Sequence, residues 1–225
     1  MMPAALSPQP GVARRRPARC RMPAEIRIAE ILDAALALFA ERVYANTRID
    51  DIALRAGLSK GGVYNHFDSK DAIFEGLMRR ALTPPADEQP DAEVLANPRV
   101  LAAWVVDRIH TVITRPTSIA VFRLIVAEGD RVPHLLQMWQ REIADPGHRT
   151  LSETLRLTSY AQNSLAARLP WLVVSPAVYL LVQRTLHGEL APLTLAEHRE
   201  AHIELLCAMM GTPAPADSSM PPQAN

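Results

Sequence analysis

The sequence predicts an all-α chain, and three observations lead there. Apolar residues recur at three- and four-residue spacing along most of the 225 residues, the period of an amphipathic helix. Ser, Thr and Asp stand where helix caps are wanted, with Gly and Pro between the periodic runs. The strand-like runs "WLVV" and "VVS", overlapping at Val173 and Val174, are too short to build a sheet.

Residues 1–22 combine Pro, Ala and Arg without periodicity and read as a disordered basic arm containing Arg14, Arg15 and Arg16. From Ala24, the spacing of Ile28, Ile31, Leu32, Ala35, Leu38 and Phe39 makes a helix ending near Arg42. Thr47 is placed as the cap of a short second helix, 48–55, with Ile52 and Ala53 facing inward. Gly57 in "AGL" suits a positive-φ turn and, with Ala53, a tight crossing between helices. Ser59 then caps a third helix from Lys60 to about Phe67, and "DSKD" recaps the chain for a fourth that runs to Thr83. Pro84, Pro85 and Pro90 among acids make a loop, and Pro98 fits a first helical turn. Further helices are expected near 98–114, 116–128, 132–144, 148–168, 175–189 and 195–210. The predicted organisation is an arm (1–22), a three-helix unit (23–70), a helical body (71–211, with 71–82 as connecting helix) and a disordered tail (212–225).

Formal net charge is zero, yet residues 1–80 carry 13 Lys and Arg against 9 Asp and Glu, and the remainder is correspondingly acidic. That asymmetry suggests an anionic partner met by one end. The two cysteines, Cys20 and Cys207, form neither a disulfide framework nor a CxxC site. No apolar run is long enough to span a bilayer, and the N-terminal arginines lack the apolar stretch of a secretory signal. A cytoplasmic location without membrane association is the expectation.

The stretch "GLSKGGVYNHFDSK" holds both lysines of the chain and two adjacent glycines, Gly61 and Gly62, at the start of a helix. Each glycine costs roughly 1 kcal/mol against Ala in a helix. Two short helices joined by a tight turn, the second exposed and polar, form a helix-turn-helix. Such a helix, about seven residues and roughly 10 Å long, fits a major groove about 12 Å wide. Glycines let its first turn press backbone against base edges or phosphate. Lys60 can reach a guanine edge or phosphate, while Tyr64 and His66 can donate to phosphate oxygens and Lys70 adds charge nearby. A purely structural helical hairpin is the plain alternative.

The segment "ILDAALALFAERVYANTRIDDIALRAGLSKGGVYNHFDSKDAIFEGLM" resembles the N-terminal domain of the TetR family of bacterial transcriptional regulators. The resemblance implies a three-helix DNA-binding domain followed by a helical ligand-binding and dimerisation domain. It implies DNA contacts at Thr47, Lys60, Gly61, Gly62, Tyr64, His66 and Lys70; Arg48, Ser59 and Asn65 complete the candidate set. The family usually closes its first helix with glycine, whereas Val43 stands here. A β-branched residue tolerates positive φ badly, so a different cap, through Asn46, is expected. "FRLIVAEGDRVPHLLQMWQREIADPGHRTLSETL" is similar to C-terminal domains of TetR regulators of efflux and quorum signals, which implies ligand sensing.

Trp104, Ile109, Val112, Phe122, Val126, Met138, Trp139 and Tyr160 are the candidate lining of a pocket for a small apolar effector, although ordinary core shows the same spacing. The last two helices are apolar enough to pair with a second copy, Leu180 and Leu206 being picked as partner-facing. That symmetry would match a near-palindromic double-stranded operator. His110, His134 and His148, with Glu128 and Asp130, lack metal-ligand spacing, so neither metal nor cofactor is expected. No phosphate loop, nucleophile elbow or carboxylate pair suggests an enzyme. The leading expectation is a homodimeric, ligand-released repressor. An activator or effector-independent regulator of the same fold, or a helical carrier of hydrophobic molecules, are the alternatives.

Overall fold

A computed structural model of the protein describes residues 23–84, 89–188 and 194–211, and every regular element among them is helical. The first unit contains α1 (Ala24–Asn46), α2 (Ile49–Arg55), α3 (Lys60–Tyr64) and α4 (Lys70–Leu82). The body contains α5 (Ala92–Ala96), α6 (Pro98–Ile113), α7 (Pro116–Glu128), α8 (Pro133–Trp139), α9 (Asp145–Arg156), α10 (Leu165–Arg168), α11 (Pro170–His187) and α12 (Leu195–Gly211). The expected arm, with Arg14–Arg16 and Cys20, and the expected tail lie outside the described residues.

Helix α1 buries Ile31, Leu32, Ala35, Leu38 and Phe39 on one face, as its spacing requires. At Val43 the backbone leaves the helix with φ 61° and ψ 160°. The expected avoidance of positive φ is therefore overturned. The departure turns Tyr44 into the core, where its ring lies 5.1 Å from Phe39 and 5.3 Å from Phe74. Asn46 is exposed and does not supply the cap. Instead the Thr47 hydroxyl donates to Val43 O at 3.0 Å and lies 3.4 Å from Leu38 O. Thr47 therefore closes α1 rather than opening α2. Arg48 is the residue before α2, its N–H donating to Asp51 Oδ2 at 3.3 Å.

Between α2 and α3, Gly57 has φ 66° and Leu58 N–H returns to Ala53 O at 2.8 Å. A Cβ at Gly57 would meet nothing within 4 Å, so glycine serves the turn's conformation and not a tight crossing. Ser59 Oγ accepts from Gly62 N at 3.1 Å, capping α3, which ends at Tyr64 instead of Phe67. Ser69 caps α4 by accepting from Ala72 N at 3.0 Å.

The body departs from expectation in places where side chains compete with the helix. Thr158 bonds back to Leu155 O at 3.0 Å, and Ser164 caps α10 through Ala167 N at 3.2 Å. The single helix expected over 148–168 is thus interrupted. Between α8 and α9 the chain stays helical through a π turn, Gln140–Ala144, in which Asp145 N–H reaches Gln140 O. Pro146, which has no N–H to donate, follows this π turn in the first turn of α9. "WLVV" lies in α11, which begins at Pro170.

The core of the first unit does not stop at α4. Val121 and Leu124 of α7, and Val132 and Leu135 beside and on α8, are buried with Ile52, Val63, Phe74 and Leu77. A second core gathers Leu101, Val105 and Val106 of α6 with Ile203, Leu206 and Met210 of α12. Among the described residues no single helix is long and apolar enough to cross a membrane.

Candidate nucleic-acid interface and apolar cavity

Helix α3 is anchored by Val63, fully buried, with Leu58 and Phe67 half-buried around it. Its outer side presents Lys60, Gly61 and Tyr64, and Asn65 follows, all exposed; Gly62 and His66 are half-buried. Arg48 and Ser59 are exposed at the starts of α2 and α3. Eight of the ten candidates thus lie on or beside the α2–α3 surface. Lys60 Nζ pairs with Asp50 Oδ2 at 3.0 Å, which holds its pKa above the ordinary lysine value. Both partners are exposed, so the pair is weak and exchangeable. A Cβ at Gly61 would meet nothing within 4 Å, and at Gly62 it would find Ser59 Oγ at 3.4 Å, an ordinary contact. Packing within the protein therefore does not require glycine at either position.

Thr47 and Lys70 are placed differently. Thr47 is 1% exposed and its hydroxyl is directed at the α1 carbonyls. Lys70 Nζ donates to Tyr44 O at 2.8 Å and Thr47 O at 3.1 Å, with Ala45 O at 3.4 Å. An ammonium has three N–H donors, and these carbonyls occupy them. Nζ also sits 4.3 Å from the Tyr44 ring centroid, and burial lowers its pKa. Both residues shape the turn that carries α2.

In the body, an open cavity of about 410 Å³ is lined by α6, α8, the π turn, α9 and α11, with the end of α4 at its edge. Trp104, Ile109, Val112 and Trp139 line it as expected. The other four candidates do not. Phe122 packs with Ile113 and Ala177, Met138 packs on the first core, and Val126 is 67% exposed. Tyr160 is turned away, its hydroxyl donating to Leu95 O at 3.0 Å. The sequence reading missed Trp171, Val174, Val178 and Leu181, one face of α11 at helical spacing. Val178 and Leu181 belong to the helix expected to pair with a second copy, whereas Trp171 and Val174 belong to the strand-like run "WLVV" that precedes it.

The histidines considered for metal are not brought together. His134 pairs with Asp71 at 2.9 Å, His148 lines the cavity, and His110 Nε2 lies 3.2 Å from His202 Nδ1. Glu128 is buried at the end of α7, 3.4 Å from Arg131, followed by a 3-10 turn over Gly129–Arg131, as its sequence suggested.

Comparison with known proteins agrees with this arrangement. Residues 31–77 match "Bacterial regulatory proteins, tetR family", and residues 101–161 match "AefR-like transcriptional repressor, C-terminal domain". The HTH-type transcriptional repressor KstR2 of Rhodococcus jostii is 31% identical over 109 residues, covering 48% of this chain and 50% of that protein. The biofilm operon negative regulator IcaR of Staphylococcus aureus is 46% identical over 46 residues, 20% of this chain and 25% of its own length. The matched segments thus span half or less of these curated relatives. The fold is also that of NalD, secondary repressor of a multidrug efflux pump in Pseudomonas aeruginosa. The TM-score is 0.56 at 16% identity, over 85% of this chain and 98% of that one. With a helix-turn-helix of this form joined to a helical body, the chain belongs to the TetR family of transcriptional regulators.

Proposed function

We propose that this regulator is a homodimeric repressor. Each subunit sets α3 against half of a near-palindromic DNA operator, and a small, largely apolar ligand in the cavity releases it. The observation that carries the DNA side is Gly61: exposed, helical and unconstrained by its own chain. The propensity it sacrifices is recovered through close approach of backbone to DNA. Arg48, Ser59, Lys60, Gly61, Gly62, Tyr64, Asn65 and His66 form the contact set, with Thr47 and Lys70 as positioning residues. Repressor relatives support the sign of regulation. For pairing, the exposed apolar residues Tyr179, Leu186 and Leu205 of α11 and α12 are the stronger candidates. Leu180 and Leu206, picked from sequence, are 3% and 1% exposed and belong to the protomer's own interior.

Selecting bound fragments from random DNA with the purified protein tests this reading. Recovery of paired half-sites bound by two chains is expected; a single asymmetric site bound by one chain would contradict it. Gly61→Ala should retain or raise stability, by up to ~1 kcal/mol, while weakening the selected site by about tenfold or more, ~1.4 kcal/mol. Undiminished affinity would remove the first turn of α3 from the interface.

A further inference from the structure

We propose that Asp50 is a specificity-determining residue for the operator. With Lys60 it reads one G·C base pair in the major groove, Lys60 donating to guanine and Asp50 accepting from cytosine. This rests on α3 entering the groove as proposed above.

A carboxylate is out of place on a surface that meets a polyanion, unless it has a task there. Asp50 and Asp51 both stand in the first turn of α2. Asp51 serves its own unit: its Oδ2 accepts from Arg48 N–H at 3.3 Å and its Oδ1 lies 3.5 Å from Arg42. Asp50 instead turns toward α3, where Lys60 Nζ donates to its Oδ2 at 3.0 Å. Both side chains are more than half exposed, so the pair contributes little to folding. It also offsets the positive charge by which Lys60 would attract a phosphate. What the pair keeps is direction, a donor held beside an acceptor. Direction is what a base edge demands and a phosphate does not.

The pair's geometry then selects the base pair. Every Watson–Crick pair shows the major groove an acceptor beside a donor, about 2.9 Å apart because the two are hydrogen-bonded to each other. The Lys60–Asp50 spacing of 3.0 Å matches it. In G·C these groups are guanine O6 and the cytosine N4 amine; in A·T they are thymine O4 and the adenine N6 amine. Guanine sets a second acceptor, N7, beside O6, so one ammonium can donate to both. Thymine sets a methyl beside O4, which would desolvate the charged pair and return no hydrogen bond. The favoured partner is therefore G·C. Gly61, next to Lys60 and with nothing within 4 Å of a Cβ built on it, lets this end of α3 approach the edge.

The test starts by selecting bound sequences from random DNA with the full chain and with Asp50→Ala. Both proteins are then titrated with the selected operator carrying N4-methylcytosine, which keeps Watson–Crick pairing but puts a methyl where the groove-facing N–H stood. The unmodified protein is expected to select G·C at one position of each half-site, by about tenfold or more over A·T. Asp50→Ala should select the same half-site with that position relaxed to within about threefold. Methylation of that cytosine should weaken the unmodified protein about fivefold or more and Asp50→Ala less than about twofold. The response of the unmodified protein does not depend on how the variant folds. Retention of every base preference by Asp50→Ala overturns the inference, as does an equal loss on all sequences. So does unchanged binding by the unmodified protein when each cytosine of the site is methylated in turn. A site enriched without regard to Asp50 overturns this inference alone. Enrichment of no sequence by the unmodified protein overturns the operator reading and this inference with it.

Discussion

Val43 holds φ 61° and ψ 160°, a region suited to glycine, because Tyr44 must leave the helix to pack tilted against Phe39 and edge-to-face against Phe74 and donate to Asp71. Such backbone strain stores about 1–3 kcal/mol, against roughly 0.5–1 kcal/mol for the added freedom of glycine in the unfolded chain. Val43 is itself 37% exposed and contributes little burial. Val43→Gly is therefore expected to stabilise the protein by about 1 kcal/mol in urea unfolding; destabilisation would show that the valine side chain matters more than its backbone. Lys70 makes the complementary case. Its ammonium binds carbonyls of Tyr44 and Thr47, so Lys70→Met should lower stability by about 1.5–3 kcal/mol, the range for hydrogen bonds to a charged group. The slope of log K for DNA against log salt should stay unchanged. A slope smaller by about one unit would return Lys70 to a phosphate.

Helices α6, α11 and α12 meet through three buried histidines. His202 Nε2 donates to Val173 O at 2.7 Å, which leaves its Nδ1 to accept from His110 Nε2–H at 3.2 Å, and the His198 ring lies 5.4 Å from that of His110. Asp107 and Arg199, paired at 2.5 Å, stand at the exposed edge of the cluster, and Tyr179 stacks on His198. Burial, then the neighbouring His202 and His198, holds His110 down at about 4. Burial also lowers His198 and His202. An unfolded histidine titrates near ~6.5. Below that pH the unfolded chain takes up protons that folded His110 refuses, so stability is full above ~6.5 and declines toward pH 4. His110 alone should account for about 2 kcal/mol lost between pH 7.5 and 5. His110→Gln should flatten that decline in urea unfolding, and an unaltered pH dependence would refute the assignment. His198 and His202, four residues apart on α12, share a face legible from spacing, but their meeting with His110 was not, because His110 and His202 are 92 residues apart in the chain. By contrast α2, α3 and α4 were legible because Gly57, Ser59 and Ser69 fix them locally. Helix α5 was hidden in a Pro- and acid-rich loop, its start set by Asp91 accepting from Val94 N at 2.9 Å. Four of the eight residues picked from apolar stripes line the cavity; which stripe faces a void depends on how the helices cross, and spacing alone does not encode that.

Across the whole molecule, the cavity and α3 share structural supports. Trp139 and Ile143 line the cavity and also pack against the core that holds α2 and α3. The same segment reaches the first unit through His134 to Asp71 at 2.9 Å and through the Arg79–Glu142 ion pair. At the opposite end of α4, the Ser118 hydroxyl lies 2.7 Å from Ala81 O and 2.6 Å from Val112 O, and Val112 is a lining residue. A ligand that displaces Trp139 or Val112 therefore disturbs contacts at both ends of α4. If ligand and operator favour different settings of these contacts, each must weaken the other's binding by the same factor, typically about 5- to 150-fold or about 1–3 kcal/mol. All three tryptophans lie on the cavity and none lies in the described part of the first unit, so emission reports the body alone. Titration of a cavity ligand by tryptophan emission, with and without saturating operator, is expected to show weaker binding in its presence. The reverse titration, operator affinity with and without saturating ligand, should give the same ratio. Equal ligand affinity in both conditions would mean that cavity occupancy and DNA binding are uncoupled. Release by ligand would then be excluded, leaving an effector-independent regulator built on the same recognition helix.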